Sequence, residues 1–141
     1  MKHLLALALA FLCNFAFAQT DTQLRYTSSS RQFFMWNEKT QSYELKDNEE
    51  EHSLIDIREQ VNKNSGYAVI CMTDDGKTRL FHGNITGYTK SENGESTWSL
   101  RSKILKSRIV LNVEKKTLTY SYEANDERYM KIFVFKLEFP E

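Results

Sequence analysis

Large apolar residues recur at every second position in short blocks along this chain, and turn-forming residues separate the blocks. That period of two is the signature of β-strands with one face turned to a core. Residues 31–37 (RQFFMWN) read as a strand, 38–40 as a turn, and 41–46 (QSYELK) as the return strand, with Tyr43 and Leu45 on one face. Residues 22–28 are polar and are expected to pair weakly, if at all. Residues 47–51 read as an acidic loop. Residues 53–63 carry both periods: Leu54, Ile57 and Val61 at helical spacing, Ile55 and Ile57 in alternation. A strand over 53–58 is preferred.

From Gly66 onward the pattern sharpens. Residues 66–73 (GYAVICMT) form a strand, and Asp75-Gly76 is the strongest two-residue hairpin signal in the chain, because both central positions of a type I′ turn need positive φ. Residues 78–84 return, which sets Val69 opposite His82, Ile70 opposite Phe81 and Cys71 opposite Leu80. Residues 87–90 lead to a loop at Asn93-Gly94, and 97–100 (TWSL) resume. Then come 108–113 (RIVLNV), a turn at Lys115-Lys116, 117–123 (TLTYSYE), a looser turn at 124–127, and the long apolar run 128–139.

A two-residue loop at Lys115-Lys116 predicts Ile109 opposite Tyr122, Leu111 opposite Tyr120 and Val113 opposite Leu118. A loop at 124–127 predicts Tyr122 opposite Tyr129, Leu118 opposite Phe133 and Lys131 opposite Tyr120. These large residues fall on one face, and a slip of one residue would turn them all to the other. The expected interior is therefore Ile109, Leu111, Val113, Leu118, Tyr120, Phe133 and Phe135. Met130, Ile132 and Val134 make the last strand apolar on its other side too, which predicts a central or covered position. Short strands punctuated by turns predict an all-β fold, an antiparallel meander closing into a small barrel. The alternatives are a two-layer β-sandwich and a curved sheet with one covering helix drawn from residues 53–63.

The first residues change the compartment. A basic start at Lys2, an apolar run and Ala16-Phe17-Ala18 predict a signal peptide over residues 1–18, cleaved before Gln19, and a single β-rich domain over 19–141. The run is too short for a comfortable membrane span, so no stable span is expected after leader removal. Bulky residues before Cys13 argue against lipid attachment there. An exported protein, secreted or periplasmic, is the expectation.

Composition then excludes classes. Lysine plus arginine and aspartate plus glutamate each number 19, and loss of Lys2 with the leader leaves one net negative charge. A nucleic-acid binder would show a basic excess. Only Cys71 remains after processing, so no disulfide framework is possible. Aromatic residues at 13% argue for strands and against disorder.

Candidate chemistry is thin. In the predicted register Cys71 and His82 are diagonal neighbours, but a cysteine among Val69, Ile70 and Met72 is expected to pack as a small hydrophobe. The acidic stretch before His52 and the pair Asp74-Asp75 lack the ligand grouping of a metal site, so no metal, no cofactor and no catalytic residue are expected. Binding is the remaining class. Trp98, Tyr120, Tyr122 and Tyr129 are aromatic candidates for a recognition surface, and Lys131 is the one charge on an apolar face. The first expectation is a non-enzymatic module holding a small apolar or amphipathic ligand inside the barrel. The alternative is a protein-interaction or inhibitor-type accessory of the cell envelope using loops or a sheet edge. A packed interior with an exposed apolar patch would favour the second.

Overall fold

In the computed structural model, residues 21–103 and 105–139 are described. The expected leader, its cleavage point and Cys13 lie outside them. Nine antiparallel strands follow in chain order: β1 (Thr22–Asn37), β2 (Ser42–Glu49), β3 (Ser53–Glu59), β4 (Gly66–Asp74), β5 (Lys77–Lys90), β6 (Ser96–Ser102), β7 (Leu105–Asn112), β8 (Thr117–Ala124) and β9 (Tyr129–Glu138). Strands β3 to β9 pair in sequence, and β1 pairs with both β3 and β9. The result is a closed barrel of eight strands with β2 added on the outside edge of β1.

The polar segment 22–28, expected to pair weakly, is instead half of the longest strand and pairs with the whole of β3, from Thr22 opposite Glu59 to Ser28 opposite Ser53. Closure of the ring recruits it: without β1, β3 and β9 would both be free edges. Residues 53–59 are a strand with buried Ile55 and Ile57. The acidic stretch is not a loop throughout, because β2 runs to Glu49. Residues 78–84 and 87–90 belong to one strand, β5, which carries an irregularity between Ile85 and Gly87.

The Asp75-Gly76 turn forms as expected, with φ of 50° and 75°, and sets Val69 opposite His82 and Cys71 opposite Leu80. The two C-terminal hairpins differ from expectation by two residues. Leu111 pairs with Leu118, and Ile109 with Tyr120. Asn112 explains the first shift: its Oδ1 accepts the Lys115 amide, Lys116 adopts φ 54°, and the turn takes four residues. In the last turn Asn125 accepts the Glu127 and Arg128 amides at 2.9 and 2.8 Å, and the four-residue turn falls at 125–128, one residue later than expected. Leu118 therefore meets Phe135, Tyr120 meets Phe133, and Lys131 sits opposite Tyr122 instead of Tyr120. A shift of two keeps every side chain on its face. The expected interior survives except for Val113, which falls in the turn and is 56% exposed.

Offsets between successive strands add up to a stagger of about 12 residues round the barrel, larger than the strand number, so the strands tilt and the interior widens. Large side chains fill that width. Trp98, Phe133, Phe135, Ile55, Ile57, Ile70, Met72, Ile109 and Leu118 are all essentially without solvent contact.

One charged group lies among them. After Ser28, β1 steps away from β3 through an irregularity between Ser28 and Ser30 and takes β2 as its neighbour. The Arg31 side chain fills the gap. Its Nη1 donates to Ser53 Oγ at 3.1 Å, its Nη2 to the Thr73 carbonyl at 2.7 Å, and it forms an ion pair with Glu49. Removing one partner from a buried, hydrogen-bonded pair leaves an uncompensated charge, which typically costs about 3–5 kcal/mol. Arg31→Met is therefore expected to lower the unfolding free energy by ~3 kcal/mol, read as a drop in the urea midpoint. An unchanged midpoint would remove Arg31 from this role.

Gly66 gives a second prediction. Its φ is 124°, and a Cβ there would lie 1.9 Å from the Arg58 carbonyl oxygen. Gly66→Ala has no rotamer that relieves a backbone clash, so a loss on the order of 2 kcal/mol or more is expected in the same titration.

Candidate functional site

The barrel wall departs from regular pairing at the end carrying the β4–β5 turn. Strand β5 pairs with β4 from Lys77 onward but with β6 only from Asn84. Strand β8 pairs with β9 as far as Ala124 but with β7 only as far as Ser121. The β6–β7 hairpin thus stops short of both neighbours. A recess of about 190 Å³ opens beneath it, lined by Leu80, Phe81, His82, Ser102, Leu105, Ser107, Tyr120, Tyr122 and Glu123.

Its walls are aromatic. The Phe81 centroid lies 5.2 Å from Tyr120 and 5.0 Å from Tyr122, and the two tyrosines stack at 5.3 Å with 14° between their planes. Phe133 forms the next layer, 6.0 Å from Phe81. Cations border it. The Arg79 guanidinium stands 5.3 Å from the Phe81 centroid and pairs with Asp74 at 3.2 Å. Lys131 Nζ is 5.9 Å from the Tyr122 centroid and 2.9 Å from Glu123 Oε2. Glu123 reaches that position from a left-handed backbone, φ 54°. Leu80 and Leu105 stand at the rim, 58% and 54% exposed.

Two of the expected site residues, Tyr120 and Tyr122, meet in this recess, with Lys131 beside Tyr122. Trp98 does not join them. It turns toward the β3–β4 end, where its Nε1 donates to the buried Glu59 carboxylate at 3.2 Å, and Lys63 pairs with the same carboxylate. Tyr129 lies elsewhere too. It lines an outer groove of about 370 Å³ with Tyr43, Arg108 and Arg128. Phe81 and Arg79 were missed, although the hairpin register, which sets Phe81 opposite Ile70, was legible. Cys71 is not a core residue: it is half-buried on the outer face with Leu80 opposite.

The outer face of β2, β1 and β9 is the second notable surface. Phe34 lies between Leu45 on one side and Ile132 on the other, Trp36 lies opposite Tyr43, and Val134 follows Ile132 on the same face. None of these belongs to the interior cluster. Leu45 is 47% exposed and Tyr43 is 38% exposed. Tyr43 meets the Trp36 ring edge-on at 4.9 Å, and the Arg128 guanidinium lies 3.9 Å from that ring's centroid. Arg108 stands 5.0 Å from the Tyr129 centroid. The sequence marked this side of β9 as apolar but expected it to be covered. Among the described residues, no second layer packs on it.

Glu49, Glu51 and Asp74 bring carboxylate oxygens within 4.8 Å of one another. Each has a partner in the protein: Arg31 for Glu49, Arg79 for Asp74, and the Asp75 amide for Glu51 at 3.0 Å. Burial raises the Glu49 carboxyl above its ordinary value, with Arg31 opposing. A raised folded value makes that contribution to stability greatest in acid and lost as pH rises through it.

Comparison of the chain with models of known protein families, with curated proteins and with solved structures gives no match in any of the three.

Burial pushes the Tyr122 hydroxyl up to about 12, with Arg79 pulling the other way, and raises Tyr120 against the opposing Ser107 hydroxyl. An unfolded tyrosine ionises near pH ~10, so between about 10 and 12 the folded chain holds a proton that the unfolded chain has lost. The contribution is intact below pH ~10 and lost as pH rises toward 12, with a slope of at most ~1.4 kcal/mol per pH unit. Urea midpoints measured from about pH 9 to 12 should fall less steeply in Tyr122→Phe than in the parent. Parallel curves would mean that Tyr122 does not couple folding to alkaline pH.

Proposed function

We propose that this chain works after export as a non-enzymatic protein-interaction module, and that the partner docks on the outer face of β2, β1 and β9. The contiguous apolar patch on that face carries the reading. Phe34, Leu45, Ile132 and Val134 form a row and a half of apolar side chains on the outside of a barrel whose middle is filled by its own side chains. Patches of this kind on a small protein mark docking sites. The residues beside it, Trp36, Tyr43, Tyr129, Arg108 and Arg128, are of the types that dominate binding energy at protein interfaces. Strand β2 also guards its free edge. Its register with β1 breaks at Lys46, and Glu44, Lys46 and Asp47 line it. Bulges and charges discourage edge-to-edge pairing, which favours recognition by the face over strand addition.

A photo-crosslinking residue at Leu45, in the full chain expressed in its own host, tests this against the same residue at Val61, which is 71% exposed between β3 and β4. One discrete adduct from position 45 and none of that mass from position 61 is the expected result. Trp36→Ala should weaken the isolated partner's binding at least about tenfold, the usual loss at an aromatic anchor, while the chain still unfolds in one cooperative thermal transition. Identical adducts from both positions, or none from position 45, would sink the reading.

A further inference from the structure

We propose that the recess at the β4–β5 end is a binding site for a single aromatic ring bearing a hydroxyl group, a phenol either as a small molecule or as a tyrosine side chain. This site is separate from the face of β2, β1 and β9, so each proposal stands or falls alone.

Size sets the first limit. A cavity of about 150 Å³ lined by apolar side chains holds one benzene ring, and the recess measures about 190 Å³. It is too small for a two-ring or long-chain ligand to enter whole. The walls set the second. Phe81, Tyr120 and Tyr122 already hold one another at centroid distances of 5.0–5.3 Å, and a further ring placed against them falls in the same favourable range of about 4.5–7 Å. Leu80 and Leu105 form apolar lips that are over half exposed. An inserted ring would cover both.

Polar groups set the third limit. The Ser107 hydroxyl, 4% exposed, lies in the recess beside the Tyr120 hydroxyl, and Ser102 supplies another. Hydroxyls both donate and accept, so they suit a neutral hydroxyl on the ligand better than a fixed charge. The charges at the rim are already matched: Arg79 with Asp74 and Lys131 with Glu123. A ligand carboxylate or ammonium would have to displace one of these partners, whereas a phenol leaves both pairs in place.

The test is amide chemical-shift titration of the folded domain with p-cresol, with cyclohexanol, and with N-acetyl-Gly-Tyr-Gly-amide. With p-cresol, saturable shifts clustered at Phe81, Ser102, Ser107 and Tyr122 are expected, with half-saturation on the order of 1 mM for so small a ligand. Cyclohexanol, similar in size but not aromatic, should bind at least about tenfold more weakly. Ser102→Phe fills the recess and should abolish the p-cresol shifts while leaving the thermal midpoint unchanged or higher. Tighter binding of the tyrosine peptide than of p-cresol would assign the ring to a peptide side chain. Weaker binding would assign it to a free phenol. The proposal is overturned if p-cresol gives no saturable shift, if its shifts lie outside the recess, if cyclohexanol binds equally well, or if Ser102→Phe binds as the parent does.

Discussion

The barrel depends on how one arginine resolves a conflict of pairing. Strand β1 is longer than β3 and has to pair with β3 first and with β2 afterwards along the same edge. Where the neighbour changes, the ladder breaks and backbone groups lose their partners. Buried backbone carbonyls without partners are costly. Arg31 lies there, its guanidinium bonded at once to the Ser53 hydroxyl that opens β3, to the Thr73 carbonyl of β4 and to the Glu49 carboxylate of β2. No neutral side chain offers donors to three strands in one plane. The small residues Ser28 and Ser53, opposite each other and fully buried, leave the space the guanidinium needs.

Stagger explains why the recess sits at an end. A wide, tilted barrel needs bulky side chains across its middle, and Trp98, Phe133 and Phe135 supply them. Tilt also means that neighbouring strands end at different heights. Where the β6–β7 hairpin stops short of the two strands beside it, inward-facing rings at the tips of those strands lose their cover on one side. Phe81 and Tyr122 are such rings, and Arg79 and Lys131 shield their faces without closing the gap between them. At the opposite end of the barrel the Glu59 carboxylate is held by Trp98 and Lys63.

Parity was legible in the residues and turn length was not. Alternation alone placed Ile109, Leu111, Leu118, Tyr120, Phe133 and Phe135 inside, because facing depends only on whether an offset is even. Pairing partners depend on the number of residues in each turn. Asn112 lengthens its turn and Asn125 moves its turn along by one residue, each by bonding its own backbone, a local effect easily overlooked between two strong strands. Residues 22–28 escaped notice for a different reason. Their inward residues, Leu24, Tyr26 and Ser28, form a strand because closure needs one there, and closure is not encoded in any short window. For the candidate site, Tyr120 and Tyr122 were visible as aromatic residues on one face, but which of the five candidates would meet depended on strand stagger, so Trp98 and Tyr129 could not be separated from them.

The outer face of β9 shows how a pattern can be read correctly and still be misassigned. An apolar run on both sides of a strand normally means burial on both sides, and Ile132 and Val134 follow that rule as far as this chain can satisfy it. Strand β2 adds Tyr43 and Leu45 beside Phe34 and Trp36 and so widens the apolar face instead of covering it. An edge strand whose only purpose was to shield its neighbour would present polar groups outward on that face. Here it extends the apolar surface while keeping Glu44, Lys46 and Asp47 along the strand. That combination, a blocked edge beside an enlarged apolar face, is a reason to look for the missing cover in another molecule.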